Sequence, residues 1–389
     1  MLPAAKAAAR CAANLGTTRA GDLEEEFVLG IAPEKSWSAE ELGNRIFESC
    51  NAAFDVYTMH LGRKLGLYDE LKARSLTSHE LAERTGTTER YIREWLEQQA
   101  VTGILEVVDH SADADVRTYA LSEGYAEVLT DRDSLWYFGP ATSMTAAAGA
   151  QLPALAQAFR SGGGVSWEQF GEDMRVGQGE INRPLFLQVL APEWLASHAD
   201  VHALLSREGA TVADIGSGLG WSAIGIARHY PNARVTGLDI DQPSVDAANA
   251  NAADLGVSDR VTFDLVNPGE EAEEGVYDVV IACECLHDMP DPVSVLAGAR
   301  RMVKPDGAVL ILDERTHDEF TVDAGDMERF LYGFSVTTCL PDGLSHEPSV
   351  GTGTVMRKST LDGYARSAGF DRVEDLPIEH EQFRLYRLV

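Results

Sequence analysis

One stretch constrains the whole chain: Val212-Ala213-Asp214-Ile215-Gly216-Ser217-Gly218-Leu219-Gly220. An apolar run of strand length passes into three alternate glycines and then into a helical pattern. Glycine is demanded there because the turn is tight and a ligand must approach the backbone with no Cβ in the way. Asp214 closes the strand, where a carboxylate suits a ligand bearing an ammonium and a sulfonium. The spacing is G-x-G-x-G, without the third glycine placement of the dinucleotide fingerprint. Asp214, Gly216, Ser217, Gly218 and Gly220 are therefore the candidate cofactor contacts of this loop.

From about Gly209 onward strands alternate with helices, which indicates a parallel sheet. The strands are expected at Thr211–Ile215, Arg234–Asp239, Val261–Val266, Tyr277–Cys283 and Ala308–Asp313. Helices are expected near Ser222–His229, Pro243–Leu255 and Pro292–Val303. The second strand ends in Asp239, nineteen residues after Gly220. A carboxylate at that tip can accept both hydroxyls of a ribose; Asp241 is the alternative. Ile240 follows Asp239 at the same edge and joins the candidate cofactor contacts, as does Cys283 at the end of the fourth strand. The third strand runs out at Asn267, whose amide oxygen can meet an adenine amino group. The other reading of Asn267 is a turn former before Pro268.

The N-terminal part reads differently. Residues 1–35 form a loose extension. Residues 41–75 carry helical periodicity. A helix-turn-helix pattern follows, with Ser78–Arg84 as the first helix, Thr85-Gly86-Thr87 as the turn, and a second helix from Glu89 to about Val101. Ile104–Val108 and Thr118–Leu121 flank an acidic turn like the strands of a wing. A winged-helix-like domain is thus expected over 36–130, a helical connector with a Ser161-Gly162-Gly163-Gly164 break over 131–205, and the α/β domain over 206–389.

Charge limits the partners. Residues 36–130 hold nine Lys/Arg against seventeen Asp/Glu, and the whole chain carries a formal net charge of -30. A reader of DNA needs a basic face, so the winged part is assigned to dimerisation and pocket formation, not to nucleic acid. No run approaches the length of a membrane span. Five cysteines at irregular spacing give no disulfide framework and point to the cytoplasm. Cys283 and Cys285 lack partners at ligand spacing, so no metal is expected.

Taken together, Asp214–Gly220, Asp239, Asn267 and Tyr277–Cys283 resemble the successive motifs of class I S-adenosylmethionine (SAM) dependent methyltransferases. A closer resemblance spans about residues 40–389. It is to bacterial two-domain proteins related to plant-type small-molecule O-methyltransferases, and it rests on Glu284–Met289, Asp313-Glu314-Arg315, Tyr332–Ser335 and Thr352–Arg357. The resemblance implies a seven-stranded Rossmann-like α/β domain ending in an antiparallel hairpin, at Arg372–Leu376 and Phe383–Leu388, behind an α-helical winged-helix domain. It also implies SAM as cofactor, a homodimer and a small-molecule acceptor. In such enzymes Leu-His-Asp supplies a general base, here His287, and an acid after the fifth strand orients it: Asp313, with Glu314 as fallback. Two departures stand out: Met289 replaces the usual Trp, and Met356 stands before Arg357 where an acid is usual. Residues 314–358 suit an apolar lid, with Phe320, Phe330, Tyr332, Phe334 and Met356, and His380 and Glu381 lie in the last hairpin turn. Transfer to nitrogen or carbon without a protein base, and a SAM-responsive regulator, are the alternatives.

Overall fold

The computed structural model describes residues 37–389, so the expected extension over 1–35 lies outside the described residues. The described chain forms two compact units that divide between Ser122 and Glu123.

In the first unit a helix runs from Ala39 to Lys64, started by a capping box between Ser38 and Glu41. Gly66 in the left-handed region breaks the helical run and Leu67–Leu71 resumes it. A second capping box, Thr77 with Glu80, starts Ser78–Thr85, and Gly86 ends it at φ 65°. Glu89–Val101 is the second helix of the motif. Trp95 donates from its indole to Thr58 O at 2.8 Å, Tyr68 donates to Gln99, and the two rings meet edge to face. The wing is shorter than the sequence suggests. Its paired strands are only β1 (Glu106–Val107) and β2 (Tyr119–Ala120), with Leu76 bridging Tyr119. Burial of Leu105 and Leu121 pins the two ends, and the polar residues between them are left to the turn.

The second unit holds a seven-stranded sheet built from β3 (Thr211–Ile215), β4 (Arg234–Asp239), β5 (Val261–Leu265), β6 (Tyr277–Cys283), β7 (Val303–Glu314), β8 (Val373–Leu376) and β9 (Phe383–Leu388). Their spatial order is β5-β4-β3-β6-β7-β9-β8, with β9 antiparallel to both neighbours and the other pairs parallel. Val212, Val279, Ile281, Leu310 and Leu312 fill one face, while Ala213, Val280 and Ile311 fill the other. Sheets covered on both sides read as near-continuous apolar runs, as these strands do. Each such side chain contributes about 1.5–3 kcal/mol on burial. The chain turns from β3 to β4 on one side and later returns to β6 on the other, so the crevice at the carboxyl ends of β3 and β6 is the ligand position of such sheets.

Residues 131–205 are helical and pack within this second unit. Pro140–Ala150, Leu152–Ser161 and Trp167–Leu185 share a core of Met144, Leu155, Val165, Phe170 and Met174. Beyond Pro184 the helical path widens to π geometry over Phe186–Leu195, and Ala199–Leu205 leads into the sheet.

Candidate active site

The glycine loop closes on its neighbour strand. Gly216 N–H donates to Leu238 O at 2.8 Å, and Gly216, Gly218 and Gly220 all have positive φ. Two of these glycines are packed. A Cβ on Gly216 would lie 2.7 Å from Cys285 Sγ, and one on Gly220 would lie 2.4 Å from the Phe263 ring. At Gly218 a Cβ would meet nothing within 4 Å, so open space lies over the middle of the loop.

Polar groups surround that space. Asp214 is buried; Oδ2 accepts from Ser222 Oγ, while Oδ1 has no partner. Burial raises its pKa to about 7, against the pull of Ser222 and the Ala223 N–H. Ser217 Oγ is also buried without a partner. Asp239 accepts from Gly218 N–H at 2.8 Å and from Asp241 N–H at 2.9 Å, and burial raises its pKa too. Beside it the apolar side chain of Ile240 is 61% exposed, a surface on which a flat ring can lie. Buried acceptors without partners are rare in a finished structure. With the open loop they fit a ligand bearing a cation and a sugar.

Asn267 sits apart from this group. Its Oδ1 accepts from Gly269 N–H at 3.0 Å and its Nδ2 donates to Glu270, so the side chain would have to leave its own turn to reach a base edge. Cys283 is buried at the end of β6, and burial holds its thiol well above the ordinary value.

The second cluster lies just past β6. Leu286–Asp288 form one turn of 3₁₀ helix, which places His287 3% exposed over the end of β7. Its Nδ1 donates to Asp313 Oδ1 at 2.8 Å and lies 3.1 Å from Glu314 Oε2; its Nε2 lies 3.4 Å from Asp288 Oδ1. Asp313 is anchored in turn by the Glu314 N–H. Burial disfavours the charged imidazole, but Asp288, Glu314 and Asp313 outweigh it and hold its pKa well above 6.5. Burial and its neighbour Asp313 push Glu314 the other way, toward the neutral acid, and Asp313 stays below its ordinary value through His287 and Glu314.

Sequence reasoning missed several members. Cys339, from the lid, comes within reach of both His287 and Asp288. Glu284 adopts φ 52° at the end of β6 and accepts from Asn182. Glu284 stood in the sequence only as part of the Glu284–Met289 motif and Cys339 only as a cysteine without a partner; neither contact was legible, because each joins distant segments. The groupings His287–Asp288–Cys339 and His287–Asp313–Glu314 have spacings that could hold a metal ion, and they share the one imidazole. His380 turns away from the cluster: it stacks on Phe383, meets Trp194, and accepts from the Gln382 and Phe383 N–H groups. Glu381 is exposed.

The lid residues form the helix Gly325–Phe334, a π-helical stretch Ser335–Cys339 and the turn Leu340–Gly343. Phe334 packs beside the Met144–Met174 core and Met356 is buried, whereas Phe320, Phe330 and Tyr332 are exposed. Glu328 ties the lid down, accepting from His317 N–H and Nδ1 and pairing with Arg357 at 2.8 Å.

The second unit thus joins a Rossmann-like sheet, an open glycine loop after β3 and a histidine–carboxylate cluster past β6. Residues 206–339 match the family described as "Methyltransferase domain", and residues 53–131 match the Rv2258c-like winged HTH domain; the chain joins these two domains. It is similar to the ubiquinone biosynthesis O-methyltransferase of Sodalis glossinidius (strain morsitans), 39% identical over 101 residues, which are 26% of this chain and 40% of that protein. The chain thus matches about two fifths of the length of the curated relatives. It also resembles the solved structure of mitomycin 7-O-methyltransferase MmcR, at TM-score 0.66 and 21% identity over 90% of this chain and 97% of that one. Human N-acetylserotonin methyltransferase in complex with SAM gives TM-score 0.64 and 17% identity over 91% and 99%. At these identities the likeness to the solved structures is one of fold.

Proposed function

We propose that the protein is a SAM-dependent methyltransferase that acts on an oxygen of a small organic acceptor, with His287 as general base. The observation that carries this is the buried imidazole held by Asp313 at 2.8 Å, with its other nitrogen 3.4 Å from Asp288 Oδ1, beside a cradle that includes the unpartnered acceptors Asp214 Oδ1 and Ser217 Oγ.

SAM supplies a methyl group on a positive sulfur, so transfer is an in-line displacement. Asp214 Oδ1 and Ser217 Oγ hold the amino-acid end, Asp239 takes the ribose hydroxyls, and Ile240 supports the base. Cys283 closes the cradle beneath. Asn267 joins the adenine edge once its side chain leaves its turn. Asp313 fixes the tautomer of His287 by accepting the hydrogen bond from Nδ1–H, leaving Nε2 to remove the acceptor's proton. Glu314 supports Asp313. The lid excludes water over the acceptor.

The winged part belongs to assembly. Leu42, Ile46, Phe47, Phe54, Tyr57 and Leu61 form an exposed apolar stripe on the helix Ala39–Lys64, continued by Leu65 just past its end and suited to a second copy of the chain. Arg90 and Arg93, on the second helix of the motif, pair with Glu94 and Glu89, which favours this over a nucleic-acid partner. No helix among the described residues is long and apolar enough to cross a membrane, and the sparse cysteines favour a cytoplasmic setting.

A second reading has its own support. Three carboxyls favour the protonated imidazole, which suits an acceptor nitrogen or carbon that needs no base. The test is calorimetric titration with SAM, followed by turnover of an acceptor panel by wild type and His287→Ala. O-methylation that falls about 10²–10⁴-fold in the variant supports the base. A rate within severalfold of wild type would pass the case to the second reading, and no SAM binding by folded protein would sink both.

A further inference from the structure

The helix Trp167–Leu185 lies across the carboxyl ends of the strands and touches three separate motifs of the cradle. Arg175 donates through Nε to Asp241 Oδ2 at 2.6 Å and through Nη2 to Oδ1 at 3.1 Å, in a largely buried two-point pair. Gly179 stacks on the glycine loop so closely that a Cβ there would lie 2.3 Å from Leu219 Cδ1. Asn182 donates from Nδ2 to Glu284 Oε2. Positions 175, 179 and 182 are spaced i, i+4 and i+7, so one face of the helix makes all three contacts.

Each contact abuts a group of the cradle. Asp241 donates its N–H to Asp239 Oδ1 at 2.9 Å, so Arg175 braces the ribose carboxylate through one intervening residue. Leu219 lies inside the glycine loop, and Glu284 follows Cys283 in a left-handed conformation that is costly for a residue with a side chain. The segment has a break at each end. Gly171, at φ 77° and ψ -167°, interrupts the helix before it, and Pro184 with the π-helical widening from Phe186 ends it. Residues 172–183 therefore form a short rod between two bends. Its root is tied to the lid, where Trp167 N–H donates to Asp342 Oδ1 at 2.7 Å and Val165 N–H to Pro341 O at 2.9 Å.

We propose that this rod is a bar over the cofactor cleft, with Arg175 and Asn182 as its latches: positioning residues that set how long SAM stays bound. The proposal rests on the SAM reading above. Opening requires release of Asp241 and Glu284 and bending at Gly171, and the latches raise the barrier to departure.

The test is a chase experiment with the full chain: tritiated SAM is bound, excess unlabelled S-adenosylhomocysteine is added, and retained label is followed in time. Arg175→Ala and Asn182→Ala are each expected to raise the dissociation rate about tenfold and not to slow association, since the latches also close the ligand-free cleft. Arg175→Lys should fall between, because an ammonium cannot make the two-point pair. Melting of the unliganded variants is measured in parallel. A role confined to folding would lower melting and leave the dissociation rate where it was, and that result overturns the latch. So does a dissociation rate within twofold of wild type in Asn182→Ala, which carries the test alone should Arg175→Ala fail to fold. Failure of wild type to retain SAM at all overturns the cofactor reading itself, which separates the two failures.

Discussion

At the scale of the residue, Asp214, the proposed ligand of the amino group, is expected to couple SAM binding to protons. Its pKa of about 7 comes from burial, and an arriving ammonium favours the carboxylate. Below pH 7 the group is mostly neutral in the free protein and must lose a proton when SAM binds. SAM affinity is therefore expected to fall up to about tenfold per pH unit below 7 and to level off above it. Calorimetry in buffers of different ionisation enthalpy should show proton release at pH 6 and little at pH 8.5; uptake at pH 6 would contradict this. His287 has the opposite sign. Asp288, Glu314 and Asp313 hold its proton, Glu284 lies within range of its charge, and Cys339 adjoins it. A base in that state works only after deprotonation, so the transfer rate should climb through and above neutrality. Asp288→Asn should move the climb to lower pH, as a pH–rate profile will show. Asp214, Asp239 and the His287–Asp313 pair were legible in the sequence because each stands at the end of a strand whose pattern is local. Arg175, Asn182 and Cys339 were not, since a helix face or a lid residue acquires its partner only through tertiary packing. Asn267 shows a further limit: both of its readings suit a residue before proline, and the structure holds the side chain in the turn.

Among elements, the parallel strands were placed within a residue or two, apart from β7, which begins at Val303 rather than Ala308. Lys304, Asp306 and Gly307 lack an alternating apolar pattern, so pairing at that end comes from the neighbouring strand and not from local preference. The lid was legible as an insert but not as an anchored one. Burial alone would raise the pKa of Glu328, yet Arg357 and the His317 donors hold it at about 2. A carboxylate depressed in this way stabilises the fold above its unfolded pKa, and that contribution is lost as pH falls toward 2. Removing its cationic partner leaves a buried charge, so Arg357→Ala should lower stability by about 3 kcal/mol. Denaturant unfolding would measure this; a loss below about 0.5 kcal/mol would show that the lid is held by other contacts.

For the molecule as a whole, the two units meet different demands. The α/β unit buries the faces of its sheet, whereas the helix Ala39–Lys64 keeps an apolar stripe exposed in a chain of net charge -30. Such a chain resists indiscriminate association, which leaves the stripe for a matched partner. Phe47→Asp with Phe54→Asp is expected to convert a dimer to a monomer in light scattering without loss of SAM binding. A wild type that is monomeric at micromolar concentration would remove the homodimer from the account.

The placement of the two carboxylates beside the glycine loop has a metabolic consequence. On the proposed SAM reading, Asp214 Oδ1 and Asp239 take an amino group and a sugar, both of which survive methyl transfer unchanged. The spent cofactor is therefore expected to be gripped almost as firmly as the fresh one. Throughput in the cell is then expected to depend less on the supply of methyl donor than on how quickly another activity clears S-adenosylhomocysteine.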